Sequence, residues 1–124
     1  MTFNDYQKLA ETTAIYPSDY RGTYPALGLV EEAGEVAGKV KKMLRDKPYL
    51  HTYLILRTEP LPEHYVEFQQ LKDAIKKELG DVLWYIAATC TDFDLTMDEV
   101  AAANYEKLKD RQERGVLSGS GDNR

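Results

Sequence analysis

Hydrophobic residues recur at spacings of three and four along most of the chain, which is the pattern of amphipathic helices. The repeat runs through about residues 3–15, 25–45, 62–91 and 96–114, and turn-forming segments separate these stretches. The four stretches predict an all-α protein with a four-helix-bundle-like arrangement.

Local sequence signals mark the start of two of these helices. Pro25 is acceptable in a first helical turn and follows a possible cap at Thr23. Thr96 is followed three residues later by Glu99, which is the capping-box pattern. We therefore expect the second helix to begin near Pro25 and the fourth near Thr96.

The segment DKPYLHTYLILRTEPLP, residues 46–62, separates the second and third helices and contains three prolines. We interpret it as a long connection with a brief extended piece at residues 53–56, where β-branched and aromatic residues cluster. The ending GVLSGSGDNR, residues 115–124, has too little apolar content to pack and predicts a mobile tail. We expect one all-α domain over residues 1–114.

Composition narrows the class of protein. The chain has 124 residues, a net charge of −5 and a single cysteine, Cys90. No run approaches the roughly 20 apolar residues of a membrane span, and the N-terminus does not resemble a secretory signal, so we expect a cytoplasmic protein. The negative net charge argues against a protein that coats nucleic acid, because phosphate backbones select for a basic surface. An anionic substrate can still bind when divalent metal ions lie between it and the protein. Cys90 is expected to be a small core residue.

Two pairs of carboxylates stand three residues apart on different predicted helices. Glu32 and Glu35 belong to the second helix, and Glu78 and Asp81 belong to the third. At about 100° per residue, Glu32 and Glu78 fall beside apolar stripes while Glu35 turns away. Carboxylates near a core need neutralisation or coordination, and four of them suit Mg²⁺ or Mn²⁺. The alternative is that they form ordinary solvated helix faces.

Gly34 and Gly80 lie inside these two acidic pairs. Glycine costs a helix interior about 1 kcal/mol relative to alanine. Its presence suggests a close approach of another backbone or space for a ligand.

The fourth helix carries polar residues on one side. Asn104, Lys107 and Arg111 are spaced at i, i+3 and i+7, on the same side as Val100. Cations on an inward face attract an anion. That anion is either a substrate phosphate or a carboxylate of another helix.

Other catalytic patterns are rejected. The stretch GEVAGK, residues 34–39, is one residue short of a phosphate-binding P-loop and no strand precedes it. A di-iron site needs a glutamate three residues before a histidine, and neither His51 nor His64 has one. Covalent nucleophilic catalysis has no supporting set of residues.

The order of the acidic motifs resembles that of a known family. EEAGE (31–35) followed by ELGD (78–81) is similar to the EExxE and ExxD pair of the MazG-like all-α nucleoside triphosphate pyrophosphohydrolases. DVLWYI and NYEKLKDR resemble the sequence that follows in that family. The resemblance covers about residues 3–114, although the connection between the motifs is longer here than the usual linker.

The resemblance implies an all-α nucleoside triphosphate pyrophosphatase architecture and a Mg²⁺-dependent enzyme, for which Mn²⁺ is a second candidate ion. The reaction would convert a nucleoside or deoxynucleoside triphosphate to monophosphate and pyrophosphate, in a homodimer or homotetramer whose subunits often share a site. The implied metal ligands are Glu32, Glu35, Glu78 and Asp81, and the implied catalytic residues are Glu31 and Glu35. The implied substrate-binding residues are Tyr85, Asn104, Lys107 and Arg111, and the candidates for the base pocket are Tyr6, Tyr16, Tyr20 and Trp84.

Two other functions stay open at this point. One is a non-catalytic helical binding or assembly module, in which the acidic residues are solvated or pair with Lys107 and Arg111. The other keeps the fold but acts on a phosphoribosylated or alarmone nucleotide, because one fold can host several substrates. We expect neither a nucleic acid nor a membrane as a partner.

Overall fold

The computed structural model describes residues 1–123, and this part of the chain forms α-helices and no strand. The helices are α1 (Phe3–Glu11), α2 (Tyr24–Asp46), α3 (Pro48–Leu56), α4 (Tyr65–Asp92) and α5 (Met97–Glu113), with 3₁₀ turns at Ser18–Tyr20 and Pro62–His64. The predicted all-α fold is confirmed. The described residues divide into two compact units, one of Tyr16–Ile86 and one of Met1–Ile15 with residues 87–123.

The helix ends follow local hydrogen bonding. The predicted cap of α5 is confirmed, because the Thr96 hydroxyl accepts a hydrogen bond from the Glu99 amide at 3.2 Å. The predicted cap at Thr23 is wrong, since its side chain makes no capping hydrogen bond to α2. Helix α1 ends earlier than predicted, because the hydroxyls of Thr12 and Thr13 donate to carbonyl oxygens of the preceding turn and compete with further helix.

Helix α3 lies inside the predicted connection. The extended piece predicted at residues 53–56 is wrong, because these residues belong to this helix. Pro48 occupies its first turn, and it ends at Arg57 in the left-handed conformation, with φ 51° and ψ 43°. Leu50 is 1% exposed and packs with Met43 and Phe68. Burial against the neighbouring helices therefore stabilises a helix that its local composition did not indicate.

Helices α2 and α4 run antiparallel within the Tyr16–Ile86 unit. Gly28 lies against Tyr85, and further along α2 Lys39 lies against Glu78. Residue numbers therefore rise along α2 as they fall along the facing side of α4. This pairing brings the two acidic motifs of the sequence to the same level.

In the other unit, side chains of α1 satisfy the first amides of α5. The Gln7 amide nitrogen donates to the Leu95 carbonyl at 2.9 Å, and its oxygen accepts from the Met97 amide at 2.8 Å. The Asn4 oxygen accepts from the Asp98 amide at 3.1 Å. Because the first amides of a helix have no partner within the helix, these bonds fasten α1 to the start of α5.

Cys90, in the same unit, is buried, with 4% of its surface exposed. Burial, together with the charge of Glu99, raises the pKa of its thiol. The prediction of a small core residue is confirmed for Cys90. In residues 1–123, no helix has both the length and the apolar run that crossing a membrane requires.

Candidate metal centre and substrate site

Three carboxylates of the Tyr16–Ile86 unit lie close enough to share one cation. One oxygen from each of Glu32, Glu78 and Asp81 lies within 4.8 Å of the other two. Glu32 comes from α2 and the other two from α4, so the antiparallel pairing of the helices creates the group. Glu78 is buried, Glu32 is half-buried and Asp81 is exposed. Hard oxygen ligands of this kind suit Mg²⁺ or Mn²⁺.

The negative charges of this group repel one another. Partial burial raises the pKa of Glu32, and the charge of Asp81 raises it further, followed by Glu31, Glu78 and Glu35. The shift shows that the ionised form of Glu32 is destabilised by its surroundings. A divalent cation would reverse that effect, so the donor set fits a metal.

Lys39 supplies a positive charge to the same group. Its Nζ lies 3.4 Å from Oε1 of Glu78, and 34% of its side chain is exposed against 11% for that glutamate. Lys39 was not among the site residues predicted from the sequence. The sequence does contain one indication of its position: Lys39 follows Glu32 by seven residues, which places both side chains on one face of α2.

Glu31 and Glu35 are exposed on α2 and lie outside the group of three. Glu35 turns away from the apolar stripe, as its position in the helical repeat indicated. Its charge nevertheless contributes to the raised pKa of Glu32. The roles predicted for Glu31 and Glu35 stay predictions.

Tyr85 lies one helical turn after Asp81 and packs directly on α2. A Cβ added to Gly28 would overlap its ring. Burial, followed by a hydrogen bond with Tyr24, raises the pKa of Tyr85 to about 12. Tyr85 is thus a neutral phenol at physiological pH, and it sits beside the acidic group.

The close approach of the two helices occurs at Gly28 and not at the glycines of the acidic motifs. A Cβ added to Gly34 or to Gly80 would meet no described atom within 4 Å. The interpretation of these two glycines as points of close backbone approach is therefore wrong. Room for a ligand stays the open alternative for both of them.

Four aromatic rings form a cluster in this unit. Tyr16 stacks on Tyr24 with ring centroids 5.0 Å apart, and it meets Trp84 edge-on at 6.5 Å. Trp84 in turn meets Tyr85 edge-on at 4.9 Å. Two of the predicted base-pocket candidates, Tyr16 and Trp84, are thus brought together, whereas Tyr20 is 56% exposed.

Arg111, in the other unit, is 5% exposed and is bound by the C-terminal tail. Its Nη2 donates to the carbonyl of Asp122 at 2.9 Å and to that of Gly121 at 3.4 Å, and it lies 3.5 Å from the Asp122 carboxylate. Lys107 Nζ lies 3.9 Å from the same carboxylate oxygen. Two of the residues predicted to bind phosphate thus face an anion of their own unit, and Asn104 is exposed on the same helix.

A family model of the MazG nucleotide pyrophosphohydrolase domain matches residues 24–116. The chain therefore belongs to the MazG family, and the resemblance noted in the sequence is confirmed. The matched region contains all three clustered carboxylates and begins after α1. Membership supports nucleotide pyrophosphohydrolase activity in general, and the family is metal-dependent in general.

The chain is also similar to the Gene 37 protein of Mycobacterium phage L5. The two are 42% identical over 125 residues, which covers 96% of each chain. The name of that relative states no activity. No solved structure matches the chain.

Proposed function

We propose that the chain is a Mg²⁺-dependent nucleoside triphosphate pyrophosphohydrolase of the cytoplasm. It would convert a nucleoside or deoxynucleoside triphosphate and water to the monophosphate and diphosphate, as part of nucleotide-pool housekeeping. The observation that carries the proposal is the convergence of Glu32, Glu78 and Asp81 within 4.8 Å in a chain of the MazG family.

Glu32, Glu78 and Asp81 would hold the cation. A bound Mg²⁺ or Mn²⁺ screens the charge of a triphosphate and lowers the pKa of a coordinated water. Glu35 is a further candidate ligand, because it follows Glu32 by three residues and its charge already influences that residue.

Other side chains would position the reacting groups. Glu31 and Glu35 are exposed carboxylates beside the candidate metal ligands, and we assign to this pair the orientation and deprotonation of the attacking water. Asn104, Lys107 and Arg111 would bind the phosphates through charge and hydrogen bonds. For the two cations, this role requires a phosphate to take the place of the Asp122 carboxylate.

The aromatic cluster would receive the nucleobase. Tyr16, Tyr24 and Trp84 offer ring faces and edges in the same unit as the acidic group. The Tyr85 phenol stays protonated at physiological pH, and it would donate a hydrogen bond to the substrate in exchange for its bond with Tyr24. Stacking tolerates any base, so this surface alone predicts broad base preference.

We further propose that the active form is a homodimer or homotetramer. Helix α2 exposes Leu27 and Val30, at 68% and 73%, immediately before the acidic motif. Large apolar side chains beside a charged site are typical of an interaction surface. Light scattering should give a mass at least twice that of the chain, and an active monomer would contradict this proposal.

A substrate panel tests the proposed reaction. The protein is incubated with Mg²⁺ and ribonucleoside, deoxynucleoside, phosphoribosylated or alarmone nucleotides, and products are separated by ion-exchange chromatography. We expect monophosphate and pyrophosphate from triphosphates, and loss of both with Glu78→Gln. Glu63→Gln is the matched control, because Glu63 is exposed and lies outside the acidic group.

Other results of the substrate panel would each change a different part of the proposal. Release of orthophosphate would overturn the assignment of the reaction. Turnover of only the phosphoribosylated or alarmone compounds would replace the substrate class. No turnover, combined with no Mg²⁺-dependent rise in melting temperature, would favour a non-catalytic module.

A further inference from the structure

We propose that Lys39 is a positioning residue of the metal centre. It neutralises Glu78 while no cation is bound, and it moves to the outer phosphates of the substrate when a cation binds. The inference rests on the proposed function, because it needs both a divalent cation and a triphosphate.

The first step of the argument concerns charge. Glu78 is the most buried of the three carboxylates, and a buried charge without compensation is strongly destabilising. Within residues 1–123, the ion pair of this group joins Lys39 Nζ to Oε1 of Glu78, at 3.4 Å. Lys39 therefore stands where a cation would supply the same neutralisation.

The second step concerns what happens when a cation binds. An ammonium beside a divalent ion is a pair of like charges, so Lys39 and the ion compete for the Glu78 carboxylate. The lysine stem is flexible and a third of the side chain is exposed, so the ammonium group can leave without unfolding α2.

The third step is the space into which Lys39 can move. It lines a cavity of about 260 Å³ together with Lys42 and Lys47. Asp46 and Glu67 also line this cavity, but each of them is already ion-paired. Because Lys47 is the partner of Glu67, the ammonium groups that this cavity offers to the anionic end of a triphosphate are those of Lys39 and Lys42.

Replacement by methionine should separate the two roles of Lys39. In Lys39→Met, the affinity for Mn²⁺ without nucleotide should rise by a factor on the order of three to ten, because a competing charge is gone. The melting temperature in EDTA should fall, because Glu78 loses its partner. The KM for a triphosphate should rise by about tenfold, with a smaller change in kcat, since an anchor for the phosphates is lost.

Two further variants control this experiment. Lys41→Met removes the same charge from the exposed side of the same helix and should change none of the three quantities by more than about twofold. Lys39→Arg keeps the positive charge, so its Mn²⁺ affinity, its melting temperature in EDTA and its KM should stay close to those of the unmodified protein. Mn²⁺ binding is measured by the electron paramagnetic resonance signal of the free ion.

The outcomes distinguish this inference from the proposed function. If the unmodified protein binds Mn²⁺ and releases pyrophosphate, but Lys39→Met behaves like Lys41→Met, the role of Lys39 is refuted and the function stands. If the unmodified protein binds no Mn²⁺, the metal centre itself is refuted. If Lys39→Met is unfolded in EDTA, Mn²⁺ should restore folding, and failure to do so overturns the inference.

Discussion

Replacement of Gly28 by alanine should act on the contact that sets the spacing of α2 and α4. An added Cβ would overlap the ring of Tyr85. That ring has little room to move, because it also meets Trp84 with centroids 4.9 Å apart and Tyr24 at 6.3 Å. The two helices must therefore separate, or the ring must leave its place.

The change in the free energy of unfolding of Gly28→Ala is the balance of two effects. Inserting a methyl group into a packed contact costs about 1–3 kcal/mol. Alanine in place of glycine in a helix returns about 1 kcal/mol. Since the overlap involves several ring atoms, we expect Gly28→Ala to lose about 1–2 kcal/mol net, or about 4–8 °C in Tm. Gly38 has no described atom within 4 Å of an added Cβ, so Gly38→Ala should gain about 0.5–1 kcal/mol.

The same variants test whether this contact supports the metal centre. Gly28 and Tyr85 each lie one helical turn from a clustered carboxylate, so separation of the helices should also weaken Mn²⁺ binding. Urea denaturation and Mn²⁺ titration are measured for both glycine variants. Equal stability of the two, with equal Mn²⁺ affinity, would refute the packing that we describe between α2 and α4.

Three other substitutions test separate parts of the structure. Leu50→Ala should cost about 2–5 kcal/mol in urea denaturation because Leu50 is 1% exposed, and a cost below about 1 kcal/mol would contradict the packing of α3. Gln7→Ala should cost about 1–3 kcal/mol because the Met97 amide loses its acceptor, and an unchanged urea midpoint would contradict that bond. Because burial and Tyr24 raise the pKa of Tyr85 from 10.0 to about 12, the stability that its neutral form contributes is complete below pH 10 and lost between pH 10 and 12. Urea midpoints across that window should fall less for Tyr85→Phe than for the unmodified protein, and parallel curves would refute the shift.

The sequence predicted the long helices well because each carries a sustained repeat of apolar residues, and Pro25 and Thr96 mark the starts of α2 and α5. It missed α3 because a short apolar run is compatible with a strand or a helix, and the burial of Leu50 against Met43 and Phe68 decides between them. It placed the end of α1 too late, because threonine hydroxyls that bond back to the preceding turn leave no mark on the hydrophobic repeat.

The carboxylates of the candidate site could be predicted from the sequence, because their positions depend on the spacing of residues within one helix. The i,i+3 pattern identified Glu32, Glu78 and Asp81, which the structure brings together. Lys39 shares a face of α2 with Glu32, but its pairing with Glu78 and the contact of Gly28 with Tyr85 depend on the register between two helices, which the pattern of either helix alone does not contain. For the same reason the sequence pointed to the wrong glycines as the points of close approach.

The most direct test of the metal centre is anomalous diffraction from crystals grown with Mn²⁺. The account predicts an anomalous peak within coordination distance of carboxylate oxygens of Glu32, Glu78 and Asp81, and loss of that peak in Glu78→Gln. A peak elsewhere on the chain, or one that persists in Glu78→Gln, would contradict the assignment of these residues as the metal ligands.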